Sequence, residues 1–358
     1  MTIEVDASTL SRQNGEMGIR TRPVTQCPVC GSAGRVRHAD LQDRAYSVAG
    51  SWGISECTKC ATGWLNPAPI PEDLGQCYVG AYYTHERPEI ASLGRSPKAE
   101  LMRRLVLSAR KGYTELKPSV PFSSVAGSIL AHIPPVWSRA CYSQEDLMPR
   151  FKAGGRLLEI GCGGGGFLSI MQLLGWRVSG VEPDPVAAAV ARDIVGCDIH
   201  VGTIEDAPFD EEHFDAIVSS HVIEHAYDPR AFVARSGRLL AHGGVMTVLT
   251  PNFGSLGHKL FENDWYCLDP PRHLCLFTPK SLRSLFTGCG LFQDVQTRTI
   301  TRASGLAISR RRAVRATGNF LGDAGNGARV GDVLFRALEA AGNPILRWGE
   351  EIQCVAVR

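Results

Sequence analysis

The sequence predicts an α/β fold, a doubly wound sheet that is parallel over most of its strands, preceded by a small cysteine-rich module. Three observations carry this. From residue 155 onward, short β-rich runs alternate with helical ones, the pattern of a sheet covered by helices on both faces. The first of these strands runs into a glycine-rich loop, Glu159-Ile-Gly161-Cys-Gly163-Gly-Gly165-Gly166. Upstream, two CxxC pairs, Cys27-Pro-Val-Cys30 and Cys57-Thr-Lys-Cys60, are separated by 26 residues.

In chain order, residues 1–20 read as a flexible lead. Residues 21–71 form the cysteine module, a zinc ribbon by its spacing. A CxxC turn aims two thiolates at one point, and two such turns complete a tetrahedral four-sulfur site. Zinc suits that geometry and softness, and four protein ligands with no open position make the site structural. The alternatives are unbound thiols or a redox pair, but neither CxxC opens a helix in a βαβ unit, as a redox motif would. The remaining eight cysteines have no paired spacing and read as small buried hydrophobes.

Asn66-Pro-Ala-Pro-Ile-Pro71 then punctuates the chain, because each proline fixes φ and removes a donor. Residues 72–150 read as a mostly helical connector or lid, with helical apolar spacing through Leu101, Leu105, Val106 and Ala109. The α/β region, 151–358, has strands expected at 156–160, 177–182, 198–202, 214–221 and 245–250. Helices are expected at 167–174, 185–195 and near 229–241. A helix near 279–288, a strand near 292–299 and a last strand at 352–357 follow. A helical insertion, about 302–348, carries a glycine-rich break.

Composition narrows function. The formal net charge is +2, which disfavours a protein held to polyanions by long-range attraction. No apolar run is long enough for a transmembrane helix, and the polar start lacks a signal-peptide core. A cytoplasmic protein with reduced thiols is therefore expected.

Gly161, Gly163 and Gly166 match GxGxxG, a pattern that serves either a dinucleotide or another adenosine ligand. Glu182, 23 residues after Glu159, ends the second strand, where a carboxylate accepts from both ribose hydroxyls. Glu159 separates the two readings. A carboxylate behind a pyrophosphate is repulsive, whereas one behind a sulfonium and an ammonium is favourable. Its bland reading is a strand-end residue held by neighbouring amides.

The runs LEIGCGGGGF, GVEPD and IEDAPFDEEHFDAIVSSHVIEH resemble class I S-adenosylmethionine-dependent methyltransferases, most closely the ubiquinone-biosynthesis type. LTPN followed by DPPRHLCLFTPKSLRSLF is similar to the same group. The double CxxC with its trailing LNPAP resembles zinc modules of related sugar methyltransferases. The likeness covers about residues 150–300 and the final strand. It implies a Rossmann-like, seven-stranded sheet whose last strand is antiparallel. It also implies that Gly161, Gly163 and Gly165 line the methionine part of S-adenosylmethionine, Glu182 holds its ribose, and Ile204, Glu205 and Asp206 border its adenine. This last slot often opens with an acid in the family, and here Thr203 stands there.

His221-Val-Ile-Glu224-His225 also matches the HxxEH of some zinc proteases, but His221 ends a predicted strand rather than lying on a helix. His221, His225 and His273 are instead candidates for the catalytic floor, with His225 or His273 as a base that takes a proton from a hydroxyl acceptor. The competing role is to orient substrate or hold loops. Arg310-Arg-Arg312 with Arg315 offers a phosphate-binding patch or an ordinary solvated face. Trp52, Trp64, Tyr82 and Tyr83 offer a sugar-stacking surface or simple packing.

These readings converge on methyl transfer to a small hydroxylated acceptor, a sugar or glycan precursor. A nicotinamide-dependent oxidoreductase, an interaction protein with an inactive methyltransferase fold, and a nucleic-acid methyltransferase are the alternatives. The last lacks both a basic charge and an NPPY-type motif.

Overall fold

The computed structural model describes residues 18–78, 107–108, 110–113, 145–301, 303–323 and 329–358. The connector helix expected around Lys98–Lys117, together with Tyr82, Tyr83 and Cys141, lies largely or wholly outside them. Two compact units emerge. One holds the described residues within 1–82, 221–235 and 248–356; the other holds those within 83–220, 236–247 and 357–358.

In the first unit, β1 (Thr21–Arg22) pairs with β5 (Ala68–Pro69), and a second small sheet forms from β2 (Gly34–Leu41), β3 (Trp52–Cys57) and β4 (Gly63–Leu65). A 3₁₀ turn, Pro71–Cys77, follows. The small sheet takes its fourth strand from far along the chain: β11 (Cys275–Leu276) pairs antiparallel with β4, Cys275 opposite Trp64. Its core joins Trp52, Ile54 and Leu65 to Phe253, Trp265, Leu276 and Phe335.

The large sheet contains β6 (Arg156–Ile160), β7 (Arg177–Glu182), β8 (Ile199–Val201), β9 (Phe214–Ser220), β10 (Leu240–Pro251), β12 (Asp294–Ile300) and β13 (Glu351–Val357). From one edge the order is β12, β13, β10, β9, β6, β7, β8. β6 runs parallel to β7 and β9, and β7 parallel to β8. Backbone bonds join Arg358, just past β13, to Gly243 and Gly244. Asn252, just past β10, donates to Glu350, just before β13. Rising numbers on one strand meet falling numbers on the other, so β13 is antiparallel to β10. The seven-stranded sheet and its reversed last strand match the expectation.

Helix α1 (Gly166–Leu173) follows the glycine loop, and α2 (Pro185–Val195) follows β7. Helix α2 is well specified locally: the Asp184 carboxylate caps the amides of Val186 and Ala187, Pro185 takes the first position, and Gly196 closes the end at φ 66°. The remaining helices are α3 (Pro229–Leu239), α4 (Leu256–Phe261), α5 (Pro279–Gly288), α6 (Ser304–Thr317) and α7 (Val330–Leu346). α6 and α7 are the helical insertion expected between the sixth and last strands.

One strand departs from expectation. β10 begins at Leu240, well before the anticipated residue 245. The run His242-Gly243-Gly244 reads as a turn, and Gly243 does take φ 74°, yet backbone bonds to Arg358 on either side carry the ladder through it.

Candidate cofactor and catalytic sites

The glycine loop leaves β6 with Gly161, Gly163 and Gly165 at φ 74°, 51° and 81°, a region that disfavours any side chain. Gly165 is also constrained by its neighbour, since a Cβ there would sit 3.0 Å from both Ala191 Cα and a Val195 methyl of α2. The alanines of that helix therefore allow the loop to approach closely.

Two carboxyl groups converge on this loop. Glu182 Oε2 accepts from the Gly163 amide at 2.8 Å, and Oε1 accepts from the Asp184 amide at 3.0 Å. These bonds fix the carboxylate at the carboxyl end of β7. Glu159 is 4% exposed, and its Oε2 has no hydrogen-bond partner among the described residues. Burial first, and the Glu182 charge second, raise Glu159 well above the usual carboxyl range; the Leu168 amide only partly opposes this. From sequence, Glu159 is expected to be a ready carboxylate. In the structure it is a buried acid that favours its proton.

In the turn expected to border adenine, Ile204 is buried and Glu205 exposed. Asp206 Oδ1 accepts from the Thr203 amide at 2.8 Å and lies 3.1 Å from His200 Nε2. Against its own desolvation, these partners hold Asp206 below the usual range. Asp206 thus shapes the turn that presents Ile204.

The histidine cluster belongs to the first unit. His221 directly follows β9 and adopts φ 55°, a strained conformation for a side chain with a Cβ. Its amide donates to Leu249 O at 2.9 Å, its Nε2 lies 2.9 Å from Glu351, and its Nδ1 lies 3.2 Å from Glu224 Oε1. That last contact is within ion-pair range but poorly angled for a hydrogen bond. Despite desolvation, the two carboxylates raise His221 to about 10, and water reaches 37% of the side chain. With both nitrogens engaged, His221 is an imidazolium brace and has no lone pair for a substrate proton. Glu224, whose Oε2 accepts from Thr250 at 2.9 Å, is held low, to about 2, by His221 despite complete burial.

His225 and His273 are different. His225 Nδ1 lies 3.0 Å from the Arg272 carbonyl, and His273 Nδ1 lies 2.7 Å from the Cys267 carbonyl. A carbonyl only accepts, so each Nδ1 carries a proton and each Nε2 faces away from that bond. The rings meet edge to face with centroids 4.7 Å apart. Burial, then the neighbouring His273, lower His225 to about 4. The Tyr78 hydroxyl also lies 3.0 Å from His225 Nδ1.

What holds these loops was not singled out from sequence. Arg272 is 0% exposed and donates through two nitrogens to Asp43, at 2.7 Å each, and also to Asp269. Asp43 in turn accepts from the amides of Ala45, Tyr46 and Val48. The Asp269–Arg272 spacing is a local hint, but Asp43 lies 229 positions away.

The four cysteines come together as predicted, with Sγ separations of 3.4–3.6 Å for three of the pairs. Zinc–sulfur bonds of about 2.3 Å at tetrahedral angles imply sulfur separations near ~3.8 Å, close to these values. Gly31 and Ala61, each just after its CxxC, take φ 71° and 59°. Their amides bond back to Cys27 and Cys57 carbonyls, so both knuckles close alike.

Two alternatives left open by the sequence are decided. Trp52 and Trp64 are 0% and 2% exposed, so they pack the small sheet and cannot stack a sugar. The arginine patch is spent internally: Arg310 bonds Phe320 O, Arg311 covers the Phe261 ring, and Arg312 and Arg315 pair with Asp332 and Asp264.

Comparison with known proteins agrees with the glycine loop and its flanking strands. Residues 138–294 match a family described as a methyltransferase domain. The chain carries a methyltransferase domain. Ubiquinone biosynthesis O-methyltransferase of Xanthomonas oryzae is 35% identical over 106 residues, 28% of this chain and 44% of that protein. The Methylocella silvestris protein of the same name is 35% identical over 165 residues, 41% of this chain and 64% of that one. The chain thus spans less than two thirds of these relatives. A Thermotoga maritima structure described as a possible histamine N-methyltransferase is 20% identical, with TM-score 0.39 over 58% of this chain and 83% of that chain.

Proposed function

We propose that the protein transfers the methyl group of S-adenosylmethionine to a hydroxyl of a small acceptor of the sugar or glycan-precursor class. One observation carries the choice of cofactor: two carboxyl groups, Glu159 and Glu182, converge on the glycine loop. Glu182 suits either adenosine ligand, but Glu159, neutral without a ligand, gains a partner when a sulfonium and its ammonium favour its anion, whereas a pyrophosphate offers it none, which disfavours the nicotinamide alternative. Bound S-adenosylmethionine supplies an electrophilic methyl. The chain's part is to seat the methionine portion on Gly161, Gly163 and Gly165, hold the ribose with Glu182, and line the adenine with Ile204, Glu205 and Asp206. His225 or His273 then accepts the acceptor's hydroxyl proton at Nε2, while protonated His221 braces the cluster. Alignment supplies most of the rate and the base a further ~10²–10⁴-fold. Zinc held by Cys27, Cys30, Cys57 and Cys60 is structural and has no part in the chemistry.

Calorimetric titration with S-adenosylmethionine and, separately, with NAD tests this. Binding of the first alone, abolished by Gly163→Arg, is expected; binding of NAD alone sinks the proposal. Once an acceptor is found, His225→Ala or His273→Ala should depress turnover more than cofactor affinity. Unchanged turnover in both rejects the base assignment.

A further inference from the structure

We infer that His273 is the base, and that Asp269, carrying the charge left over from the Asp43–Arg272–Asp269 triad, is the positioning residue that makes it one. The inference rests on methyl transfer to a hydroxyl as proposed above. A guanidinium has five N–H donors, and Arg272 uses all of them. They go to both oxygens of Asp43, both oxygens of Asp269 and the Cys77 carbonyl. Two carboxylates around one guanidinium leave one negative charge in excess. Asp43 is the better satisfied of the two, since it also accepts from the amides of Ala45, Tyr46 and Val48. The Asp269 side chain accepts from Arg272 alone among the described residues.

That charge faces His273. One tight turn carries both residues: the Arg272 and His273 amides donate to the Asp269 carbonyl at 3.0 and 3.1 Å. His273 Nδ1 donates to the Cys267 carbonyl, so in the neutral ring Nε2 is the nitrogen left to take a proton. Asp269 Oδ2 lies 3.9 Å from that Nε2, too far for a hydrogen bond. Water reaches only 10% and 18% of the two side chains, so it screens the charge little. Nε2 is therefore open to an acceptor hydroxyl, and the imidazolium it becomes has an anion beside it. Methyl transfer makes that cation. The acceptor O–H bond breaks and its proton goes to Nε2. The oxygen pair forms the new bond to the methyl carbon, and the C–S pair leaves on sulfur as a neutral thioether. One positive charge thus passes from sulfur to histidine. His225 is worse placed to receive it. Burial and then His273, 4.7 Å away between centroids, hold it down to about 4, and Glu224 and Asp269 oppose this only in part. Glu224 is already paired with protonated His221.

Asp269→Asn in the full chain tests this, because asparagine keeps the shape and drops the charge. Removing an anion at this distance lowers a titration by about one pH unit or more. In NMR spectra of the ligand-free protein, the His273 ring should move to lower pH by that amount, and His225 by less. With S-adenosylmethionine and simple methyl glycosides as the acceptor probe, the acid limb of kcat/KM should shift the same way. The plateau should fall roughly three- to tenfold, as a weaker base dictates. A merely structural role lowers the plateau and leaves the limb in place. His273→Gln should erase the limb and His225→Gln should retain it, and these two profiles decide the matter even if Asp269→Asn does not fold. An unmoved His273 resonance overturns the inference, and so does an acid limb that survives His273→Gln. If the resonance moves but turnover ignores both histidine variants, the hydroxyl-base reading has failed and the inference falls with it.

Discussion

Glu159→Gln should make the ligand-free protein more stable and a worse binder. The folded protein keeps the Glu159 proton to higher pH than the unfolded chain does, because burial and Glu182 raise it. Between the two titrations, unfolding releases that proton, so stability falls as pH rises through the window. Above it, the buried anion has one oxygen with no partner among the described residues. An unsatisfied buried polar atom costs about 1–3 kcal/mol. Glutamine is the same size and has no proton to lose, so urea unfolding near neutral pH without ligand should show a gain of about 1–2 kcal/mol. Binding should move the other way. A cationic ligand ionises Glu159, so the wild type should release a proton into the buffer on binding S-adenosylmethionine. Titrations in two buffers of different ionisation enthalpy read this directly. The variant should release none and bind about 10–100-fold more weakly, the worth of one charge-assisted hydrogen bond. If the variant instead loses stability and keeps full affinity, Glu159 is a strand-end residue and the electrostatic argument for the cofactor fails.

Metal analysis should find one zinc per chain, absent from a Cys57→Ser/Cys60→Ser variant, whose residues 24–66 should become the first site of proteolysis. Arg272→Ala strips a 0%-exposed cation from Asp43. Buried-pair loss costs about 3–5 kcal/mol, and the three amides that still hold Asp43 place the expected value at the low end in urea unfolding; a loss below ~1 kcal/mol refutes the account. Glu339, raised to about 8 by burial and then by Glu350, gives stability that is full below about 4.5 and drains as pH approaches 8. Relative to wild type, Glu339→Gln should remove a slope of about 1.4 kcal/mol per pH unit across that window, and parallel stability–pH curves for the two proteins would contradict it.

The large sheet was readable because its signals are local. RLLEI, RVSGVE and FDAIVSS are runs of β-rich residues bounded by glycines and caps, and α2 announces itself through Asp184, Pro185 and Gly196. The four-cysteine site was readable for the same reason, since each CxxC is complete within four residues. What escaped depends on distant partners. Nothing near Asp43 says that Arg272 will meet it, and nothing near Trp64 announces Cys275 as its strand partner. Protonation escaped too. His221 and His225 are four residues apart and identical in composition, yet one is flanked by two carboxylates and the other by a carbonyl and a second imidazole. The environment, rather than the residue type, charges one and leaves the other neutral.

The pairing of β11 with β4 has a consequence for how this chain can be cut and borrowed. The proline run after residue 65 looks like a seam, and an engineer would graft the metal-binding piece by dividing there. Doing so would leave β4 an open edge beside Trp64, because Leu65 donates to the Leu274 carbonyl and Cys275 lies opposite Trp64. The donor half would lose as much. Its short strand begins two residues after His273, and the Leu274 amide between them donates to the Glu224 carbonyl. Excision would free the ground under a candidate base and its neighbouring acid together, so the cysteine module is not portable by itself.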